Sequence, residues 1–196
     1  KSVITNLRQA EQELQNLSKM QSIILRIASE NINIPQELLD ESINNSLKEI
    51  GEFVQADRVY VFEYDWTKNV CSNTYEWCEQ DISPQIDNLQ NVPNEAIDYW
   101  VEAHKKGDEM SIEEVMQLPE DDGVRQILEQ QDVKSVLAIP MMNQDQCIGF
   151  IGFDSVEKVH KYSDKEKILL KIFSEVLVNI GNRKELEKNL VQAKER

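Results

Sequence analysis

The chain has 196 residues and a formal net charge of −15, from 36 Asp and Glu against 21 Lys and Arg. That acidity argues against nucleic acid, whose phosphates require a basic surface, and against anionic membranes. The length fits one ordinary domain with extensions; no apolar run approaches the roughly 18–20 residues of a membrane span, and no secretory signal is visible. Cys71, Cys78 and Cys147 are an odd set without a C-x-x-C spacing, which suits buried thiols in a reducing compartment. With Lys1 first and Arg196 inside a helical pattern, the chain reads as a piece of a longer cytoplasmic polypeptide.

The first stretch, residues 1 to about 30, lacks proline and glycine and reads as a helix. Leu7, Ala10, Leu14, Leu17 and Ile24 follow a three-and-four spacing with Gln21 in between, a short heptad seam. Two readings stand: a helix folded back on its own domain, or a parallel two-stranded coil leading into it, with Leu7, Leu14 and Leu17 at the dimer seam. Ile34-Pro35 ends this segment. Leu39, Ile43, Leu47, Ile50 and Val54 then mark one face of an amphipathic helix ending near Gln55.

Arg58 to Asp65 (RVYVFEYD) is rich in β-branched and aromatic residues and predicts a strand; Asp65 to Asn69 turns it back into Val70 to Cys78. Cys71 and Cys78, seven apart, would face opposite sides of an unbroken strand. Residues 79–93 read as loop. Asn94 is placed to cap a helix carrying Ile97, Trp100, Val101 and His104, which Gly107 stops. Met110 to Val115 predicts a short strand, and Gly123 precedes a second short helix. Residues 79–132 thus form a long crossover, the kind of connection that is usually functional.

Ser135 to Val156 predicts a hairpin turning at Asn143–Gln146. Neither strand alternates apolar with polar. Val136, Ala138 and Met142 oppose Leu137, Ile139 and Met141; Ile148 and Phe150 oppose Cys147, Ile151 and Phe153. A hairpin apolar on both faces needs cover on both, so helices must take one side and the crossover the other. Gly149, Gly152 and Pro140 suggest a bulge or an edge position. Ser163 or Asp164 caps a final long helix, in which Leu169, Ile172, Val176, Leu186, Leu190 and Ala193 resume the heptad spacing, interrupted by Asn179 and Arg183.

Several blocks in this order resemble the GAF domain of bacterial multidomain signalling proteins. They are Ala56-Asp57-Arg58-Val59, Tyr75-Glu76-Trp77-Cys78, Pro84 to Gln90, Lys134 to Pro140 and Ile148 to Val156, with Tyr162-Ser163 where such domains often carry Trp-Ser. Val3 to Glu11 is similar to the tail leaving a PAS domain. The resemblance implies an α+β fold: a GAF-like (PAS-like) antiparallel sheet of about six strands, helices on one face, a lid over a pocket on the other, and long terminal helices. It divides the chain into a signalling or coiled-coil helix at 1–34, the GAF domain at 35–183, and the start of an outgoing helix at 184–196.

As function, the resemblance implies a non-catalytic sensory or dimerisation module in a cytoplasmic two-component or related protein, a histidine kinase or diguanylate cyclase. It implies a parallel homodimer through the terminal helices (Leu7, Leu14, Leu17, Leu186 and Leu190) and covalently linked PAS-like and output domains. No nucleic acid partner or direct membrane insertion is expected. The candidate pocket set is Trp77, Tyr99, Trp100, Ile139, Met141 and Phe153, although Trp77, Tyr99 and Trp100 read more readily as filler under the lid. The Asn-Lys pair of cyclic-nucleotide-binding members is replaced by Asp154-Ser155, and no cysteine lies between Asp81 and Gln146 to attach a bilin. His104 suits a core position better than a haem ligand, and no spacing supports a metal site. No cofactor is therefore expected, and an unknown small molecule is left as the candidate ligand. The alternatives are a spacer with a self-filled pocket and a GAF-type free methionine sulfoxide reductase, for which the lid lacks cysteines.

Overall fold

A computed structural model describes residues 2–194; residue 1 and residues 195–196, the outer ends of the two terminal segments assigned from sequence, lie outside the described residues. Helix α1 (Ser2–Ile32) is followed by a single turn at Gln36–Leu38 and by α2 (Leu39–Val54). Gln55, in the left-handed conformation at φ 57°, ends α2 by returning its backbone N–H to the Gly51 carbonyl. Strands β1 (Arg58–Asp65) and β2 (Val70–Cys78) follow with the bounds their β-rich composition predicts.

The crossover contains a two-residue strand β3 (Val92–Pro93), helix α3 (Asp98–Lys105), strand β4 (Met110–Ile112) and helix α4 (Gly123–Glu129). Asn94 does not cap α3. It opens a 3-10 turn, Asn94–Ile97, and its side-chain amide donates to Asn69 Oδ1. Asp122 is the effective cap in this region, accepting from the Arg125 backbone N–H at the start of α4. Strands β5 (Ser135–Asn143) and β6 (Gln146–Ser155) form the predicted hairpin, and α5 (Asp164–Lys194) closes the chain. Ser163 and Glu166 start α5 as a capping box, each side chain accepting from the other's backbone N–H.

The six strands form one antiparallel sheet in the order β3-β2-β1-β6-β5-β4. Both faces are covered. Val59, Val61, Leu137, Ile139, Ile151 and Phe153 pack against α2 and α5. Tyr60, Phe62, Tyr64, Val136, Ala138 and Phe150 pack under the crossover, which therefore acts as a lid.

Two bulges change which residues share a face. In the β5–β6 pair, Met141 opposes Gly149 and Met142 opposes Cys147, so Ile148 is the extra residue. Strict alternation set Cys147 against Phe150 and put Ile148 with it. The bulge instead brings Cys147 and Phe150 together under the lid and sends Ile148 to the helix side. In the β1–β2 pair, Val61 opposes Tyr75 while Phe62 opposes Asn73, leaving Thr74 extra. Cys71 then pairs across from Tyr64, and Cys78 across from Arg58, on one face rather than two. Pro140 lies beyond the end of β4, whose last partner is Ala138, so its missing N–H costs no ladder bond on that edge.

On the helix side, α1 forms an outer layer. Ile23 and Ile27 are buried, Arg26 pairs with Glu49, and Lys19 sits over the Phe53 ring, so α1 runs antiparallel to α2. Within α5 the domain-facing residues are Leu169, Leu170, Phe173, Leu177 and Val178, while Ile172 and Val176 lie on its half-buried flank. Of the residues in the two heptad seams, only Leu169 belongs to the stripe the domain fully buries, with Ile24, Ile172 and Val176 half-buried.

The glycines separate two kinds of constraint. A Cβ on Gly149 would collide with the Phe62 carbonyl oxygen of the neighbouring strand, whereas one on Gly181 of α5 meets nothing within 4 Å. Gly149→Ala should cost at least about 2 kcal/mol through forced backbone displacement, and Gly181→Ala should gain about 0.8 kcal/mol from helix propensity alone. Urea denaturation of the two variants checks both signs.

Candidate functional site

The adjoining registers Arg58–Cys78, Tyr60–Glu76 and Arg58–Asp154 bring polar residues from three strands together on the lid face. Arg58 and Asp154 are both buried, and an Arg58 terminal nitrogen lies 3.3 Å from Asp154 Oδ2. The Tyr60 hydroxyl donates to the other Asp154 oxygen at 2.9 Å. Arg58 directs two further donors at the lid, giving hydrogen bonds to the Ser83 carbonyl at 3.1 Å and the Gln131 carbonyl at 2.9 Å. One guanidinium thus joins the sheet to both ends of the crossover. Asp57, next to it, accepts from the backbone N–H groups of Val156 and Glu157, fixing the end of β6.

Glu76 performs the same kind of work on β2. It accepts from the backbone N–H groups of Gln85 and Ile86 and from the Asn73 side chain. Burial raises the Asp154 carboxyl to about 6, with Glu76 adding to the rise and Arg58 and Tyr60 opposing it.

Between this polar cluster and the lid lies a cavity of about 50 Å³. Its walls are chiefly apolar, with Phe62, Phe150, Trp100, Ile97, Val124 and Leu128 prominent, and Asp154, Glu76 and Gln131 at its margin. Trp100 is 4% exposed, and its indole N–H has no hydrogen-bond acceptor.

Of the six residues proposed from sequence as pocket lining, only Trp100 borders this cavity. Ile139, Met141 and Phe153 belong to the opposite, helix-facing core. The alternation separating them from Val136 and Ala138 holds, but the lid takes the Val136 and Ala138 side. Trp77 pairs across from Val59 and lies against Gly51 of α2, also on the helix side. Tyr99 is 40% exposed and donates to Asp122. Arg58, Tyr60, Glu76 and Asp154 were the residues sequence reasoning passed over as site formers. The available signal was a charged residue at each end of a largely apolar strand pair, Arg58 opening β1 and Asp154 closing β6.

His104 is fully buried among Tyr64, Trp100 and Phe150, with Nδ1 2.8 Å from the Tyr64 hydroxyl. Its Nε2 faces the Ala138 backbone without a hydrogen bond of good geometry. Burial lowers its pKa to about 3, so the ring is neutral. The thiols are all unpaired. Burial pushes Cys71 and Cys78 up to about 12 and Cys147 up to about 11, leaving little thiolate for nucleophilic chemistry. Among the described residues no three His, Cys, Asp or Glu side chains gather as a metal site, and no helix is long and apolar enough to cross a membrane.

The family model for the GAF domain matches residues 38–179. The chain belongs to the GAF domain family. A curated relative, the methanogenesis regulatory histidine kinase FilI of Methanothrix harundinacea, is 30% identical over 97% of this chain, and the chain spans 22% of that relative's length. Among solved structures, the phycocyanobilin-bound GAF domain of a cyanobacterial phytochrome superposes with a TM-score of 0.71 at 21% identity, covering 86% of this chain and 96% of that one. The GAF domain of a phosphoenolpyruvate-protein phosphotransferase from Coxiella burnetii gives a TM-score of 0.69 at 16% identity, covering 88% and 98%. The GAF domain of Thermosynechococcus elongatus PixJ gives 0.67 at 18% identity, covering 84% and 98%. At these identities the likeness is one of fold.

Arg58 is the side chain whose loss this GAF domain should feel most at the lid. Arg58→Met removes three hydrogen bonds and leaves Asp154 buried without its cation, at an expected cost of about 3–5 kcal/mol at pH 7. The pH dependence has a defined sign. Asp154 sits at about 6 in the fold against about 4 in an unfolded chain. Between those values the folded form binds the extra proton, so this group's contribution to stability falls as pH rises. Without Arg58 that fall extends above pH 6, and the deficit of Arg58→Met should be smaller at pH 5 than at pH 7 in paired urea titrations.

Proposed function

We propose that this GAF domain is a sensory relay in a histidine-kinase-type signalling protein, working as a parallel dimer. Occupancy or reshaping of its lid is relayed through α5 to an output domain. The observation that carries this reading is the disposition of the terminal helices. Asn16, Leu17 and Met20 of α1 share a groove with Ser163, Lys165 and Glu166 at the start of α5. Farther along, Arg183 of α5 donates to the Asn31 carbonyl at the end of α1. The helices therefore run parallel, and their free ends leave the domain at opposite poles. The outgoing segment extends roughly 16 Å past Arg183 and the incoming one roughly 20 Å before Asn16, at 1.5 Å per residue.

Both free ends carry exposed leucines. Leu7 and Leu14 are 64% and 67% exposed, and Leu186 and Leu190 are 60% and 53% exposed. Such stripes are costly on lone helices and fit a second copy of the same chain. A lid change shifting α5 against the sheet would bias the outgoing pair between two arrangements, provided a ligand distinguishes those arrangements by affinity. The match to a histidine kinase favours that output over a diguanylate cyclase, and a relative far longer than this chain fits covalently linked PAS-like and output domains. Three unpaired thiols agree with a cytoplasmic setting. The domain itself is assigned no catalysis, since its protonated thiols do not suit a methionine sulfoxide reductase.

One observation favours a second reading, a spacer whose pocket is filled by its own side chains. The cavity of about 50 Å³ is well below the ~300 Å³ at which ligand pockets usually begin.

Light scattering on residues 1–196 should give the mass of a dimer, and Leu7→Glu with Leu14→Glu should weaken association by at least about 100-fold, given roughly 2 kcal/mol per buried leucine. Leu7→Cys should cross-link to its own counterpart, as an in-register parallel pair requires. A monomer at high concentration, or no self-cross-link, would overturn the relay.

A further inference from the structure

The lid cavity has a chemistry narrower than that of a general small-molecule pocket, and the following rests on the sensory reading above. Charge comes first. Glu76 and Asp154 border the cavity, and Arg58 is the cation beside them. Arg58 gives hydrogen bonds to Ser83, Gln131 and Asp154 and does not line the cavity itself. An anion would meet two carboxylates and no cationic side chain in the lining. A cation fares little better: both Glu76 oxygens and both Asp154 oxygens already accept hydrogen bonds. The Phe62 and Phe150 rings also stack on each other at 4.7 Å, which closes one face of each to a cation. What remains is an apolar space for a neutral molecule.

Hydrogen bonding comes second. Trp100 borders the same cavity, is 4% exposed, and has an indole N–H with no acceptor. A buried donor left unpaired is uncommon and costly, and an incoming acceptor would recover that cost. Size comes third. The volume is about 50 Å³, whereas an apolar cavity of ~150 Å³ holds benzene. A ligand that leaves the lid in place is thus confined to a handful of heavy atoms.

We propose that this cavity binds a neutral short-chain ketone or alcohol, with its alkyl part against Val124, Leu128 and Phe150 and its oxygen accepting from the Trp100 indole N–H. So few atoms imply millimolar affinity, because each contributes only a limited share. A sensor of this kind responds to a small metabolite present at high concentration rather than to a nucleotide or a tetrapyrrole.

The test titrates acetone and its isostere isobutene, which lacks the oxygen, into residues 1–196 while recording methyl and indole resonances. Acetone should saturably shift the Val124 and Leu128 methyls and the Trp100 indole N–H. In Trp100→Phe, the preference for acetone over isobutene should fall about tenfold, the worth of one hydrogen bond to a donor otherwise unpaired. Leu128→Phe, which fills the cavity and keeps Trp100, should abolish the acetone shift of the indole. No saturable shift at these methyls would overturn the proposal. So would an acetone preference unchanged in Trp100→Phe, an indole shift that survives Leu128→Phe, or tighter binding of acetate or methylammonium than of acetone. Dimer mass and the Leu7→Cys cross-link are independent of all these outcomes, so failure here leaves the helical relay standing.

Discussion

An antiparallel sheet normally keeps one face in water; here the β5–β6 hairpin is apolar on both, and the whole chain is arranged around covering it. Leu137, Ile139, Ile151 and Phe153 need the helices, while Val136, Ala138 and Phe150 need something else. The long crossover between β2 and β5 meets the second need, so the lid is first a solution to burial. The lid is made of short helices and two short strands, and the small cavity lies beneath it.

Because the lid has little regular structure of its own, it depends on polar ties to the sheet. Arg58 supplies two of them, reaching Ser83 near the start of the crossover and Gln131 near its end while paired to Asp154 beneath. Glu76 adds backbone hydrogen bonds to Gln85 and Ile86. These buried charges are tolerable because each has several partners. Glu76 and Asp154 also stand at the polar margin of the cavity, so the ties that hold the lid down lie beside it.

On the helix face, contacts run along the whole length of the domain. α5 packs on the sheet through its first half and leaves the domain near Arg183, where it is hydrogen-bonded to the end of α1. Asn31 itself is buried and tied to Ser42 of α2, so the three helices meet at one polar junction. The lid and α1 reach α5 by separate routes, one through the sheet and one through this junction.

Much of this was readable from sequence. Local rules located the strands Arg58–Asp65 and Val70–Cys78, the hairpin at residues 135–155 and the capped final helix, because composition, turn residues and caps act over a few positions. Apolar residues on both faces of the hairpin also announced that the sheet would be covered twice. Which face received the lid was another matter. Ile139 and Ala138 are both apolar, and nothing local distinguishes a surface that will meet helices from one that will meet a crossover. Bulges at Thr74 and Ile148 then reversed the parity of Cys78 and Cys147, since a single inserted residue is invisible in a period-two pattern until its partner strand is known. The Arg58–Asp154 pair joins residues 96 positions apart. Only the packed sheet, by setting β1 beside β6, could decide that these two charges would neutralise each other beneath the lid.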